Sequence, residues 1–309
     1  MSQTLGITMG DPAGIGPEIL YRAWQQIKNR LKRPFIIFGT PSVYSKLNID
    51  VTDEFLSCIE GPSDICDYQI GLEGSVSGEL AYAFLEMSVQ AVINKRIYAI
   101  LNAPISKKAI ALTQPGFLGH TQYYEKLLGR GPALMSFYGS EFCLCLLTHH
   151  VPLNEASREF MSLDLKELFL RGIYGFKKIL GRDIRVGVCG FNPHAGEGGL
   201  LSRGEEALLQ KAIDDLKQQG FMIEGPIAAD SIFIPRIRQQ FDLIFACHHD
   251  QGLIPFKAVH APYGLSLTFG LEVLRATVDH GTAFDIAGKG VASCESMMEA
   301  WELMDRICL

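Results

Sequence analysis

Asp242-Leu243-Ile244-Phe245-Ala246-Cys247-His248-His249-Asp250 is the stretch that decides the fold. From Leu243 to Cys247 every residue is apolar, without the alternation of a strand that keeps one face in water. Such a run suits a strand of parallel sheet with helices on both faces. Outward from it, strand-like and helix-like segments alternate. Arg185–Phe191 is Val-rich, and Ala133–Tyr138 with Phe142–Thr148 reads as a strand pair. Leu5–Met9, Pro34–Phe38, Ile97–Leu101, Leu265–Phe269 and Ala276–Val278 read as further strands. Helices are expected over Pro17–Leu31, which opens on a favoured Pro, and over Gly78–Asn94, where Leu80, Phe84, Met87 and Ala91 keep helical spacing. Asp164–Leu180, Arg203–Gln219 and Glu295–Ile307 complete the helical set. Alternation of this kind predicts an α/β protein with mainly parallel sheets.

A chain of 309 residues favours two α/β domains or one large one, at roughly 150 residues per domain. With 48% hydrophobic and 20% charged residues it has the composition of a globular enzyme, which excludes a disordered chain. The net charge is −6, and the only basic clusters, such as Lys28–Arg33 and Lys107-Lys108, read as solvated helix faces or termini. Nucleic acid is therefore not an expected partner, because no positive stripe is present to displace its counterions. No apolar run approaches the ~18 residues of a membrane span, so a membrane is not an expected partner either. Met1 to Gly10 lacks a charged segment followed by an apolar core, so a cytoplasmic location is expected. The eight cysteines, Cys58, Cys66, Cys143, Cys145, Cys189, Cys247, Cys294 and Cys308, form no C-x-x-C pair. They are expected to be buried thiols that behave as small hydrophobes.

Histidines fall in a pattern. His149 and His150 follow one predicted strand, His194 lies beyond a second, and His248 and His249 follow a third. Three strands thus deliver histidine at their carboxyl ends, where open α/β sheets place ligands. Three imidazoles suit Zn²⁺, Co²⁺ or a similar ion and leave coordination open for substrate or water. In each doublet only one histidine is expected to ligate, since neighbours in extended chain point to opposite faces, and spacing does not choose between them. A histidine-bound zinc hydrolase, with Asp250 or Glu197 activating water, is the rival chemistry, and a non-catalytic metal-binding protein is a third.

Two further stretches carry a resemblance. His280-Gly281-Thr282-Ala283-Phe284-Asp285-Ile286-Ala287-Gly288-Lys289-Gly290 is similar to the loop with which isopropylmalate and isocitrate dehydrogenases wrap the adenosine end of NAD or NADP. Met9-Gly10-Asp11-Pro12-Ala13-Gly14-Ile15-Gly16-Pro17-Glu18 is a strand-to-helix turn that lacks the G-x-G-x-x-G spacing. It resembles the opening of the 4-hydroxythreonine-4-phosphate dehydrogenases of vitamin B6 synthesis, and the likeness runs over essentially the whole chain. Gly119-His120-Thr121-Gln122, Thr148-His149-His150-Val151-Pro152-Leu153, Asn192-Pro193-His194-Ala195-Gly196-Glu197, Ala229-Asp230-Ser231 and His249-Asp250-Gln251-Gly252 follow in the family's order.

The resemblance implies a two-domain fold like that of isopropylmalate dehydrogenase, with the active site in the cleft between domains. Residues 1–105 with 265–309 would form one domain and 106–264 the other. It selects His150, His194 and His249 as ligands of one divalent ion (zinc, cobalt or magnesium), shared across a homodimer. It assigns substrate binding to His120, Thr121, Lys257, Ser266 and Arg275, and NAD or NADP binding to His280, Gly281, Thr282, Ala283, Asp285 and Gly288. Asp250, Asp230 and Lys257 are the candidates for proton transfer. The implied reaction oxidises 4-phosphohydroxy-L-threonine to 2-amino-3-oxo-4-phosphooxybutanoate, which loses CO₂ to give 3-amino-2-oxopropyl phosphate on the route to pyridoxal 5'-phosphate. Two positions depart from the family: Ser266 stands where Asn is usual, and Gln122 replaces Glu. The changed pocket keeps 4-phospho-erythronate or 4-phospho-threonate oxidation as the alternative.

Overall fold

The structure is a computed structural model, and it describes residues 3–62, 67–261 and 264–307. Among these the strands are β1 (Leu5–Thr8), β2 (Phe35–Phe38), β3 (Ile59–Glu60), β4 (Ala99–Asn102), β5 (Gly129–Tyr138), β6 (Cys143–Leu146), β7 (Val186–Cys189), β8 (Ile223–Ile227), β9 (Leu243–Ala246), β10 (Leu265–Leu271) and β11 (Leu274–Thr277). The chain divides into two compact units, one running to Ala133 and resuming over Gly270–Ile307, the other spanning Leu134–Phe269. The sequence reading cut the chain at 105 and 264 instead. The first cut moves because helix Lys107–Ala111 belongs with the first unit, burying Ala109 and Ile110 against helix Ser75–Ile93. No helix of the described residues is long and apolar enough to cross a membrane.

In the first unit the strand order is β3-β2-β1-β4-β11, and these neighbours pair parallel. β1 and β4 are buried along their whole length. Helix Gly16–Ile27 has Pro17 in its first turn and buries Ile19, Leu20, Ala23, Trp24 and Ile27, a helical stripe, and the helix packs on helix Glu295–Arg306. Trp301 of the latter meets Phe35 of β2 edge-on, with centroids 4.8 Å apart.

The second unit has the order β10-β5-β6-β9-β7-β8. β5 and β6 form the antiparallel pair the sequence suggested, and β6, β9, β7 and β8 run parallel. Both faces of its centre are covered, which is why Leu243–Ala246 has no polar position. On one face Leu144, Leu146, Ile244 and Ala246 pack with Phe137, Phe142 and Phe256. On the other, Phe245 meets Phe169 of helix Leu165–Leu180 edge-on at 4.8 Å. That helix is capped by Asp164, whose carboxylate accepts the Glu167 N–H, and ends on left-handed Gly181. Each buried Leu, Ile or Phe of this centre contributes on the order of 2 kcal/mol.

Helix His249–His260 was not among the helices expected, and it carries Gly252 and Pro255 within it. Gly252 is its seat on the sheet. A Cβ there would lie 2.8 Å from side-chain carbons of Ala246 and Leu146 and 2.9 Å from Leu144. Of the cysteines, Cys143, Cys145, Cys189, Cys247 and Cys294 are buried as expected. Cys58 is only half-buried, following a four-residue helix at the surface, and Cys66 and Cys308 lie outside the described residues.

Asp11, in the turn after β1, is fully buried. Its Oδ1 accepts the Ala13 N–H at 3.0 Å, and its Oδ2 has no hydrogen-bond partner. Burial, with a smaller push from Glu73, raises its carboxyl to about 6 against the opposing Ala13 hydrogen bond and the nearby Ser77 hydroxyl.

Two predictions follow from this packing. Gly252→Ala should destabilise the protein by about 1–3 kcal/mol through overpacking. In an unconstrained helix the same change would stabilise by up to ~1 kcal/mol. Urea denaturation reads the sign, and a gain in stability would unseat the helix from β6 and β9. Asp11 has a folded-state value above its unfolded one near ~3.9, so its stabilising contribution is whole below about pH 4 and is lost as pH rises through about 6. The loss is on the order of 3 kcal/mol. Asp11→Asn should therefore flatten the fall in melting temperature between pH 4 and 7, and an unchanged slope would exclude Asp11 as its source.

Candidate functional site

The strand order brings the histidines to one edge of the second unit. β6, β9 and β7 are successive parallel neighbours, so their carboxyl ends lie side by side. Side chains tie these ends together. Thr148 Oγ1 donates to the Cys247 carbonyl at 2.8 Å, and Gln251 accepts the Cys247 N–H at 2.7 Å while its Nε2 donates to the Gly190 carbonyl at 2.8 Å. Gln251 is thus a strut between β9 and β7, a role that its motif did not disclose.

A cavity of about 280 Å³ opens here, lined by Thr148, His149, His150, His248, His249 and Asp250 among others. The His150 and His249 rings stand 5.6 Å apart, and His249 Nδ1 lies 2.7 Å from Asp250 Oδ1. Burial lowers the basicity of His248, Asp250 opposes that shift, and His249 adds to it. Both members of each doublet line the cavity, which corrects the expectation that extended neighbours would point apart. The chain is not extended there: His150 has φ 54°, and His249 is already the first residue of a helix.

His194 is exposed on the turn Pro193–Gly199 and does not line this cavity. Among the described residues no three His, Cys, Asp or Glu side chains are arranged to hold a metal ion. A three-histidine centre is therefore not assembled within one chain, and these residues do not fit the implied ion on their own. Asp230 and Lys257 are exposed and, unlike Asp250, do not line the histidine cavity. Ser266 is buried on β10.

The first unit holds the other group of predicted residues. Arg275 on β11 is 2% exposed. Its Nε donates to Asn102 Oδ1 at 2.7 Å and its Nη1 to Thr121 Oγ1 at 3.3 Å. Asn102 in turn donates to Thr8 Oγ1 at 2.8 Å and to the Tyr124 hydroxyl at 3.0 Å, and Ser88 lies 2.8 Å from that hydroxyl. Burial lowers the Arg275 guanidinium to about 10, so it remains a cation at neutral pH. His120 opens helix His120–Leu128, and burial, then the charges of Arg275 and Lys107, hold it far below the usual imidazole range. It is a neutral ring whose Nε2 is buried without a hydrogen-bond partner. Lys107 is exposed, as expected, and lies against Gly119, where a Cβ would come 2.8 Å from its Cε. Lys108 is exposed and pairs with Glu73 at 2.7 Å. A buried cation, a neutral donor and a hydroxyl make a cradle for a phosphate or carboxylate.

The loop beginning at Asp279 also belongs to the first unit. His280 Nδ1 lies 3.2 Å from the Gly281 carbonyl, and its Nε2 is buried without a partner. Added Cβ atoms at Gly281 and Gly290 would meet nothing within 4 Å, so the backbone is open to close approach. Thr282, Ala283 (φ 43°), Asp285 and Gly288 follow in the same loop. An imidazole with one orphaned buried nitrogen, on open backbone, fits a dinucleotide.

Residues 24–304 match the family model described as pyridoxal phosphate biosynthetic protein PdxA. A D-threonate 4-phosphate dehydrogenase of Cupriavidus necator is 34% identical over 317 aligned positions, which cover 96% of this chain and 94% of that protein. The crystal structure of a 4-hydroxythreonine-4-phosphate dehydrogenase from Burkholderia phymatum matches with a TM-score of 0.78 at 30% identity, over 99% of this chain and 98% of that one. A β-decarboxylating dehydrogenase from Thermococcus kodakarensis shares the fold, with a TM-score of 0.50 at 16% identity over 97% of this chain and 82% of that one. The motifs read from the sequence lie within or beside the matched span in both units, and the chain belongs to the pyridoxal phosphate biosynthetic protein PdxA family of dehydrogenases.

Proposed function

We propose that this chain oxidises the secondary hydroxyl of a small 4-phosphorylated hydroxy acid with NAD or NADP. The observation that carries the reading is the buried Arg275, aimed by Asn102 and Thr121 beside a neutral His120. A phosphomonoester brings about −1.5 to −2 charges at neutral pH and three acceptor oxygens. The guanidinium supplies charge and a planar fork, while His120 and Thr121 supply neutral donors. The names of the relatives divide between D-threonate 4-phosphate and 4-hydroxythreonine-4-phosphate, which share the phosphate and differ at the 2-position. Ser266, shorter than the usual Asn, is the residue on which that choice rests.

When bound, the dinucleotide accepts the hydride that leaves the carbinol carbon. The hydroxyl proton must go to a base. Asp250 suits that task best of the three candidates, because it lines the histidine cavity and is held by His249. The 3-oxo acid that results can lose CO₂, which from the hydroxythreonine substrate leaves 3-amino-2-oxopropyl phosphate. Reduction of NAD⁺ and NADP⁺ followed at 340 nm with each phosphorylated acid tests the proposal. Arg275→Ala and Lys257→Ala should each raise KM for the phosphorylated acid at least about tenfold, about 1.4 kcal/mol. An unchanged KM in Arg275→Ala would remove the phosphate pocket from the scheme.

The metal part of the proposal requires a homodimer. His150 and His194 of one protomer would be completed by His249 of the partner subunit, with Zn²⁺, Co²⁺ or Mg²⁺ as the ion. Its support is the family resemblance, together with the exposure of His194 outside the histidine cavity of its own chain. Inactive His194→Ala and His249→Ala subunits, once mixed and exchanged, should regain activity, since each mixed dimer holds one intact site. Mixed dimers that stay inactive would refute the shared site.

A further inference from the structure

The opening motif Met9–Glu18 has no part in the proposed chemistry, yet it touches the loop read as binding the dinucleotide at several points. The Ile15 N–H donates to the Thr282 carbonyl at 2.9 Å. Gly14 allows that approach, because a Cβ there would sit 2.8 Å from the same oxygen. One turn later Glu18, 1% exposed, accepts the Gly288 N–H on Oε2 at 3.1 Å. A further turn on, Arg22 Nη1 donates to the carbonyls of Ala292 at 2.6 Å and Gly290 at 3.2 Å, and stands 3.7 Å from Glu18 Oε1. Ile15 and one face of helix Gly16–Ile27 therefore grip the loop at 282, 288, 290 and 292.

Burying a carboxylate for one N–H bond and a loose ion pair is poor economy for stability alone. The loop it grips has little packing of its own, with Asp285, Gly288, Lys289, Gly290 and Val291 exposed. We propose that Ile15, Glu18 and Arg22 are positioning residues that hold the loop in its dinucleotide-binding shape, so that Glu18 and Arg22 set dinucleotide affinity without touching the dinucleotide. The proposal rests on the reading of residues 280–290 as the cofactor loop. A loop that must be ordered at the moment of binding charges that entropy to affinity, whereas a loop already clamped does not.

Equilibrium binding of NADH and NADPH, followed by nicotinamide fluorescence on the whole protein, tests it. Loss of one hydrogen bond to a charged group should weaken dinucleotide binding about tenfold in Glu18→Ala. Glu18→Gln keeps an oxygen for the Gly288 N–H and should restore most of the affinity. In both variants KM for the phosphorylated acid and kcat at saturating dinucleotide should stay within about twofold of the parent, since uniform binding alone is changed. Should Glu18→Ala fail to fold, as judged by its melting curve, Arg22→Met carries the same expectation from a half-exposed position. His280→Ala and Asp285→Ala report on the loop itself. If they weaken binding while Glu18→Ala and Arg22→Met do not, the positioning role is wrong and the loop reading stands. If none of the four changes dinucleotide affinity, the loop reading falls and the inference with it.

Discussion

A strand buried on both faces has no place along its length for a polar side chain, and that constraint organises the second unit. β6, β9 and β7 are apolar throughout, so the chain can offer its first imidazoles and carboxylates only past their carboxyl ends. Parallel pairing then sets those three ends side by side. Antiparallel neighbours would have sent them to opposite edges. The same constraint demands helices on each face, and Gly252 lets helix His249–His260 approach closely enough to serve while carrying His249 and Asp250 at its start.

The first unit solves a different problem, how to keep a cation buried. Desolvating a guanidinium costs several kcal/mol, and hydrogen bonds must offset it. Asn102 is the hinge of that arrangement. Its carbonyl oxygen holds Arg275, and its amide is held by Thr8 and Tyr124, so its orientation is fixed from both sides. Tyr124 is pinned further by Ser88 and turns its ring toward the guanidinium, 5.8 Å away. Nothing in that set is free to swing, and an anion meeting Arg275 meets a fork whose direction is already decided.

The sheet pattern and the histidine positions were legible because both follow from runs of residue type along the chain. Continuous apolar stretches gave β4, β6, β7 and β9, and the residues just beyond them gave the histidine doublets. What escaped depended on contacts between distant segments. Gln251 read as part of a motif, and its bridge from Cys247 to Gly190 exists only because β9 lies beside β7. Lys107 is exposed as expected, but its place beside His120 was not legible and follows from the packing of helix Lys107–Ala111 on Ser75–Ile93. Asn102 ends an apolar run and carried no signal of its pairing with a residue 173 positions away. The wrong inference about the doublets came from treating them as strand, when the backbone had already turned at His150 and His249.

That turning has a cost, and where the cost is borne is informative. His194, Ala195, Gly196, Glu197 and Gly198 all have positive φ, three of them non-glycine residues. A left-handed conformation costs each of those three about 1–2 kcal/mol. The compensation comes from the start of helix Glu205–Gln218. Glu206 accepts the Asn192 N–H at 2.8 Å and the Asn192 amide on both of its oxygens at 3.1 Å, fixing the chain just before the turn. Glu205 is bonded to Ser157, Ser202 and the Arg203 N–H. Partial burial pushes the Glu205 carboxyl up, but its hydrogen bonds outweigh this and hold it at about 2. Two carboxylates in the first turn of a helix also complement its dipole. The turn is thus imposed from outside, by groups that gain elsewhere what the backbone loses here. His150 shares the same left-handed backbone, with φ 54° against 53° for His194. Non-glycine residues held in this region persist where the surroundings over-determine them, and they concentrate at sites of function. Two of the three histidines chosen on motif alone stand on such backbone, an observation independent of the motifs.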